Sequence, residues 1–151
     1  MLRRLGLTLA AALLLAAPAL AQQPVEITAE QFTVDESSRE AVFNGNVVVV
    51  HPTVTVWAPK VVAVYGEGGT TDIESFIASG GVRLKTADQD ATGDQAVFTP
   101  GDQLLRLTGN VRVTQPSGTV DAGELVVNLE TNVSTFTSGS SGRVTGVFTS
   151  Q

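Results

Sequence analysis

The chain has 151 residues, no cysteine, one histidine and a formal net charge of −6. That length suits a single domain, and the lack of thiols excludes disulfides, thiolate metal sites and a lipid-modified cysteine. The acidic balance argues against a nucleic-acid partner, whose phosphates need a basic footprint. It argues equally against capture of an anionic lipid by a broad basic patch, so any amphiphile must be held through its apolar part.

The N-terminus reads as a secretory leader. Arg3 and Arg4 form a charged start, Leu5 to Ala17 an apolar core, and Ala19-Leu-Ala21 a small-x-small cleavage site. A membrane-spanning helix needs roughly 20 apolar residues, so cleavage after Ala21 is expected rather than an uncleaved anchor. The expected organisation is a leader over 1–21 and one β-domain over 22–151. Arg3 and Arg4 leave with the leader, which takes the formal charge from −6 to −8.

After Gln22-Gln-Pro24, Val25 and Ile27 share a face and open a strand, which Phe32-Thr-Val34-Asp35 continues. Residues 36–40 are a polar turn. Ala41 to His51 reads as a strand pair or one bent strand, ended by Pro52. Thr53 to Ala58 alternates again, Pro59 suits a bulge or an edge, and Val61 to Tyr65 is β-branched and apolar. Gly66 to Asp72 is a turn, Ile73 to Lys85 a strand region, Thr86 to Asp90 a turn, and Gln95 to Thr99 a strand. Pro100-Gly-Asp102 turns the chain into Leu104 to Gln115. Pro116-Ser-Gly118 turns it again into Thr119 to Leu129, a strand pair or bent strand. Val133 to Thr137 and Arg143 to Phe148 are short final strands. No 3.6-residue periodicity follows residue 21.

Two phrases alternate along this series. Phe43-Asn-Gly45-Asn46-Val47-Val-Val49, Ala78-Ser-Gly80-Gly81-Val82-Arg-Leu84 and Leu107-Thr-Gly109-Asn110-Val111-Arg-Val113 form the first. The second contains the small residues Ala29, Ala58, Gly93 and Ala122. Recurrence at such a spacing marks a repeated supersecondary unit. Each unit is two strand segments with a small residue at the bend in each. The expected class is all-β, a sheet that must cover its apolar face by curling, folding over or closing.

No catalytic constellation stands out. Asp88-Gln-Asp90-Ala-Thr92-Gly93 imitates half a calcium loop, but Thr99 occupies the position that needs a bidentate glutamate. His51 lacks catalytic or metal-binding partners in the sequence. Asn132-Val-Ser134 reads as a turn. Trp57, on the parity opposite to Val54 and Val56, marks either a contact surface or packing against a loop. Neither an enzyme, a cofactor nor a metal is expected.

The apolar faces carry the functional question. Val25, Ile27, Val47, Val49, Val54, Val56, Val82, Leu84, Leu105, Leu107, Val111 and Val113 are expected to line one inner surface. A dry, closed core is the simpler outcome, and it goes with a secreted structural or adhesive β-repeat. Against it, six Phe, one Trp and one Tyr are few rings for a core of this size. A surface lined by valine and leucine leaves room for an acyl chain, at about 0.8 kcal/mol per buried CH₂.

The ordered set of phrases resembles the LptA/OstA-like family of periplasmic lipopolysaccharide-transport proteins. The residues carrying the resemblance are Ile27-Thr-Ala29-Glu30, Phe43 to Val49, Trp57-Ala58-Pro59-Lys60-Val61, Leu107 to Gln115, Gly123-Glu124 and Arg143-Val144. The resemblance implies a twisted, half-open β-jellyroll with lipopolysaccharide acyl chains between its walls. It also implies end-to-end stacking by strand pairing, with copies of itself and with OstA-like domains of inner-membrane (LptC-type) and outer-membrane (LptD-type) partners. The family's lipid-contacting positions near the first strand map onto Val25 and Ile27; the other inner-face positions rest on parity alone. Two departures stand out: Gly81 where asparagine is usual, and Pro59 where an acidic residue is usual.

Overall fold

The computed structural model describes residues 25–138 and 142–149. The leader expected over 1–21 lies outside them. The described residues form strands, turns and loops without a helix. The strands are β1 (Glu26–Thr28), β2 (Gln31–Asp35), β3 (Glu40–His51), β4 (Val54–Tyr65), β5 (Ile73–Lys85), β6 (Asp90–Thr99), β7 (Leu104–Gln115), β8 (Gly118–Asn128), β9 (Val133–Thr137) and β10 (Thr145–Phe148).

All are antiparallel neighbours in one sheet, ordered β1-β3-β4-β5-β6-β7-β8-β10. β2 extends the edge that β1 occupies on β3, and β9 extends the edge that β10 occupies on β8. The two edges do not meet, so the sheet stays open. The segments that the sequence left as strand pairs or bent strands are single bent strands: β3, for instance, runs unbroken through 12 residues.

The bend is built from backbone conformation. Gly45 and Asn46 both have positive φ (85° and 44°), as do Gly80 and Gly81 (90° and 97°) and Gly109 and Asn110 (80° and 49°). Glycine enters this left-handed region freely, and asparagine does so at a smaller cost than other residues with a side chain. Gly81 therefore substitutes for asparagine without loss of the backbone geometry. At each of these sites the odd-numbered strand carries one residue more than its partner. Asn44 to Val47 lies opposite Lys60 to Ala58, Ser79 to Val82 opposite Gln95 to Gly93, and Thr108 to Val111 opposite Glu124 to Ala122. An extra residue on one strand is a β-bulge, which bends the strand and sharpens its twist.

The aligned bulges fold the sheet into two arms. One arm holds residues 47–51, 54–58, 82–85, 90–93, 111–115 and 118–122; the other holds 40–44, 60–65, 73–79, 95–99, 104–108 and 124–128. Side chains from both arms form one core, with Val47, Val56, Leu84 and Val113 from the first arm beside Val61, Ala78, Leu107 and Leu125 from the second. The result is a half-open β-jellyroll. Tight turns close the strand ends. At the β2–β3 turn, the Asp35 carboxylate accepts the Ser37 amide (3.0 Å) and hydroxyl (2.6 Å). These bonds hold its pKa below the usual carboxylate value. Asn128 accepts the Glu130 and Thr131 amides at the β8–β9 turn.

Candidate functional site: the apolar interior and its mouth

The twelve positions expected on the inner face all lie on it or at its border. Val47, Val54, Val56, Val82, Leu84, Leu105, Leu107, Val111 and Val113 are buried core, and half-buried Ile27 and Val49 pack against them. Val25 borders a cavity. The arrangement follows from strand parity, because alternate side chains point to one face. In β7 the inner parity runs through the bend uninterrupted, from Leu105 and Leu107 to Val111 and Val113.

The interior is mostly filled. Val113, Val111, Val47 and Leu107 have at most 1% of their surface exposed. Between the arms the described residues leave an apolar cavity of about 40 Å³, above the ~10–15 Å³ that one water needs and well below the ~150 Å³ of a cavity that admits a benzene-sized ligand. Five expected positions line it: Val25, Val49, Val54, Val56 and Leu105. Ile27, Val47, Val82, Leu84, Leu107, Val111 and Val113 do not.

Six further residues line the cavity: His51, Val61, Phe76, Ala78, Ala96 and Phe98. Parity read along one arm misses Val61 and Ala96, because inward parity changes at the bend in β4 (Ala58 to Val61) and in β6 (Ala91 to Ala96). His51 was legible as a continuation of Val47 and Val49. Phe76 and Phe98 are direct cross-strand partners, with ring centres 6.2 Å apart and planes 17° from parallel.

The cavity opens toward a second recess of about 640 Å³ between strand ends of the two arms. Val25, His51, Phe76 and Phe98 belong to both. The outer part is polar, with Thr71 and Asp72 from the β4–β5 loop and Gln103 from the β6–β7 loop. His51 stands at the throat, edge-on to Phe98 at 6.1 Å. Its Nδ1 accepts the Thr53 amide at 3.2 Å and lies 2.9 Å from the Thr53 hydroxyl. Accepting that bond places the proton of the neutral ring on Nε2. Burial pushes the imidazole pKa below its ordinary value, because desolvation penalises the charged form.

The outer face of the first arm is charged and paired. Arg83 makes a two-point contact with Asp90 at 3.1 and 2.7 Å, and its guanidinium lies 5.3 Å from the Trp57 ring centre. Trp57 thus packs under a neighbouring side chain rather than standing clear of the surface. Arg112 pairs with Asp121 at 2.8 Å. The hydrogen bonds from these arginines, ahead of their charge, hold Asp90 and Asp121 below the usual carboxylate range. Asp90 is therefore engaged as an ion-pair partner, and among the described residues no cluster of His, Asp or Glu is placed to hold a metal ion.

Comparison with known proteins agrees with this architecture. An uncharacterised protein of Rhizobium meliloti (strain 1021) is 29% identical over 116 residues, covering 72% of this chain and 62% of that protein. The chain thus matches somewhat under two thirds of the length of that curated relative. The crystal structure of LptH from Pseudomonas aeruginosa, described as the LptA-homologous periplasmic component of the lipopolysaccharide transport device, superposes with a TM-score of 0.72. That superposition covers 85% of this chain and 97% of LptH at 18% identity, a likeness of fold. The family described as LptA/(LptD N-terminal domain) LPS transport protein matches residues 26–133. With more than half its length inside that match, and with the bends and open sheet described above, the chain belongs to the LptA/LptD N-terminal family of lipopolysaccharide-transport proteins.

Proposed function

We propose that this chain is a non-catalytic periplasmic bridge module that binds lipopolysaccharide and passes it from the inner to the outer membrane. The observation that carries the reading is the apolar cavity between the arms, continuous with a polar recess. Acyl chains enter there, and the sugar portion remains in the wet recess. Since the resting cavity is about 40 Å³, loading requires the arms to part along the line of Val56, Phe76, Phe98 and Leu105. Twelve methylenes transferred from water contribute roughly 10 kcal/mol against that opening.

The two free edges support stacking. Phe32 and Val34 on β2, and Val147 and Phe148 on β10, are exposed large apolar side chains on strands with one side unpaired among the described residues. Such edges are templates for strand addition. The β1/β2 edge of one domain pairs with the β9/β10 edge of the next, whether a second copy or the OstA-like domain of an LptC-type or LptD-type partner.

The test is photo-crosslinking of lipopolysaccharide in cells, with a probe at Val56 and an outer-face control at Arg112. A crosslink confined to Val56 supports the carrier reading. The close packing of Val113 and Leu107 favours a second reading, a structural β-repeat with a dry core. Absence of crosslinking at both positions in a folded, periplasmic protein selects it.

A further inference from the structure

The recess outside the cavity has a chemistry of its own. His51, Thr71, Asp72 and Gln103 supply its polar groups, and Phe76 and Phe98 its apolar wall. Among the described residues, no lysine or arginine lines it. Asp72 Oδ2 accepts the Gly68 amide at 3.3 Å. A carboxylate has about four acceptor sites, so Asp72 keeps capacity for further donors. A second carboxylate, Glu74, lies beside Gly66 with Asp72. The neighbouring cation Arg39 is engaged at 3.9 Å by Glu67 of the same loop.

We propose that this recess is a head-group site for an uncharged, hydroxyl-rich sugar, and that it discriminates against a phosphorylated head. The inference rests on the lipid-carrier reading and narrows its substrate class. Sugar hydroxyls donate to the Asp72 carboxylate in charge-assisted hydrogen bonds. A phosphate at the same place meets like charge without a compensating cation, and unpaired like charge beside an apolar wall is costly. The occupant follows from this charge complementarity. The acyl chain occupies the cavity beyond Phe76 and Phe98, and the first sugar ring sits against Asp72 and Gln103.

The experiment uses two probes with the same twelve-carbon tail, n-dodecyl maltoside and dodecyl phosphate. Each is titrated below its micellar concentration into the full mature chain at low ionic strength. The maltoside is expected to bind about tenfold more tightly than the phosphate, a preference of the size that one unfavourable charge contact produces. Added salt should shrink the difference by screening. Thr71→Lys, an exposed loop change that leaves the core untouched, puts a cation into the recess and is expected to raise phosphate affinity severalfold, shrinking the preference for the maltoside. Asp72→Asn should narrow the ratio from both sides. Equal affinities, or tighter phosphate binding in the unmodified chain, would overturn the head-group inference while leaving the carrier reading standing. Failure of both probes to bind would overturn the carrier reading and this inference together.

Discussion

The side-chain amide of Asn46 donates a 2.8 Å hydrogen bond to the carboxylate of Glu30, joining the bend of β3 to the chain between β1 and β2. The same clasp recurs between Asn110 and Asp94 at 3.1 Å. In the middle copy both partners change together. Pro59 takes the place of the acid and Gly81 that of the asparagine, while the ring of Pro59 lies over Gly80. The two departures from the family pattern are thus one exchange, in which an apolar ring over a glycine replaces a hydrogen bond.

That clasp separates two contributions of asparagine. Asn110→Gly keeps the left-handed backbone and removes the hydrogen bond, so a loss of about 0.5–1 kcal/mol is expected. Asn110→Ala removes the bond and also places a Cβ in the left-handed region, for a loss of about 2 kcal/mol in total. Urea denaturation of both variants checks this. Equal losses would mean that backbone conformation does not limit the bend.

Gly93 and Leu107 form a coupled pair across β6 and β7. A Cβ on Gly93 would stand 2.7 Å from two carbons of Leu107, whose exposure is 1%. Gly93→Ala is expected to cost about 1–3 kcal/mol by overpacking. Shortening the partner with Leu107→Val should recover part of that loss, giving a favourable coupling energy in a double-mutant cycle. Strict additivity of the two changes would contradict the contact.

Truncation of the filled and the hollow ends of the core should differ. Leu107→Ala opens a void in close packing and is expected to cost about 3–5 kcal/mol. Val56→Ala, beside the existing cavity, removes fewer carbons and fewer contacts and should cost about 1–2 kcal/mol. Thermal unfolding orders the pair. A larger loss at Val56 would indicate that the cavity is closed in solution.

His51 is the only histidine in the chain, so its titration is readable by NMR without assignment ambiguity. Burial lowers its pKa in the folded state relative to the unfolded value near 6.5. The unfolded chain therefore binds the proton first as pH falls. Stability contributed by the neutral ring is full above the unfolded pKa, declines as pH falls below it, and levels off below the folded pKa. His51→Gln should flatten that part of the stability profile. A folded-state midpoint at or above 6.5 would contradict the burial of the ring at the throat.

Charge placed on the free edge tests assembly. Val147 is 66% exposed on β10, so Val147→Lys should leave the fold intact and shift any concentration-dependent self-association to at least severalfold higher concentration, as edge lysines do elsewhere. Analytical ultracentrifugation reads this directly. Unchanged association would place the interface away from the β9/β10 edge.

How much of this was legible in the sequence differs from strand to strand. In β7 the alternation of Leu105, Leu107, Val111 and Val113 already named the inner face, because an odd-strand bend preserves parity. Gly109 interrupts that face for a backbone reason, its φ of 80°, which the repeat hinted at without giving its form. In β4 and β6 the opposite holds. Inward parity changes between Ala58 and Val61 and between Ala91 and Ala96, so counting by two from one arm did not reach Val61 and Ala96 on the other. The Gly-Asn, Gly-Gly and Gly-Asn pairs announced equivalent bends, because left-handed conformations select those residues.

What sequence alone determined was therefore local: the strand class, the turn positions, the repeat of bends and the apolar parity of each segment, all set by side-chain periodicity and by glycine and asparagine. What only the tertiary structure decided was which faces meet. That Val56 of one arm and Leu105 of the other border the same cavity, and that Asp72 and Gln103 come to its mouth beside His51, depends on the summed twist and angle of the aligned bulges. Those are properties of the whole sheet, and no single strand carries them.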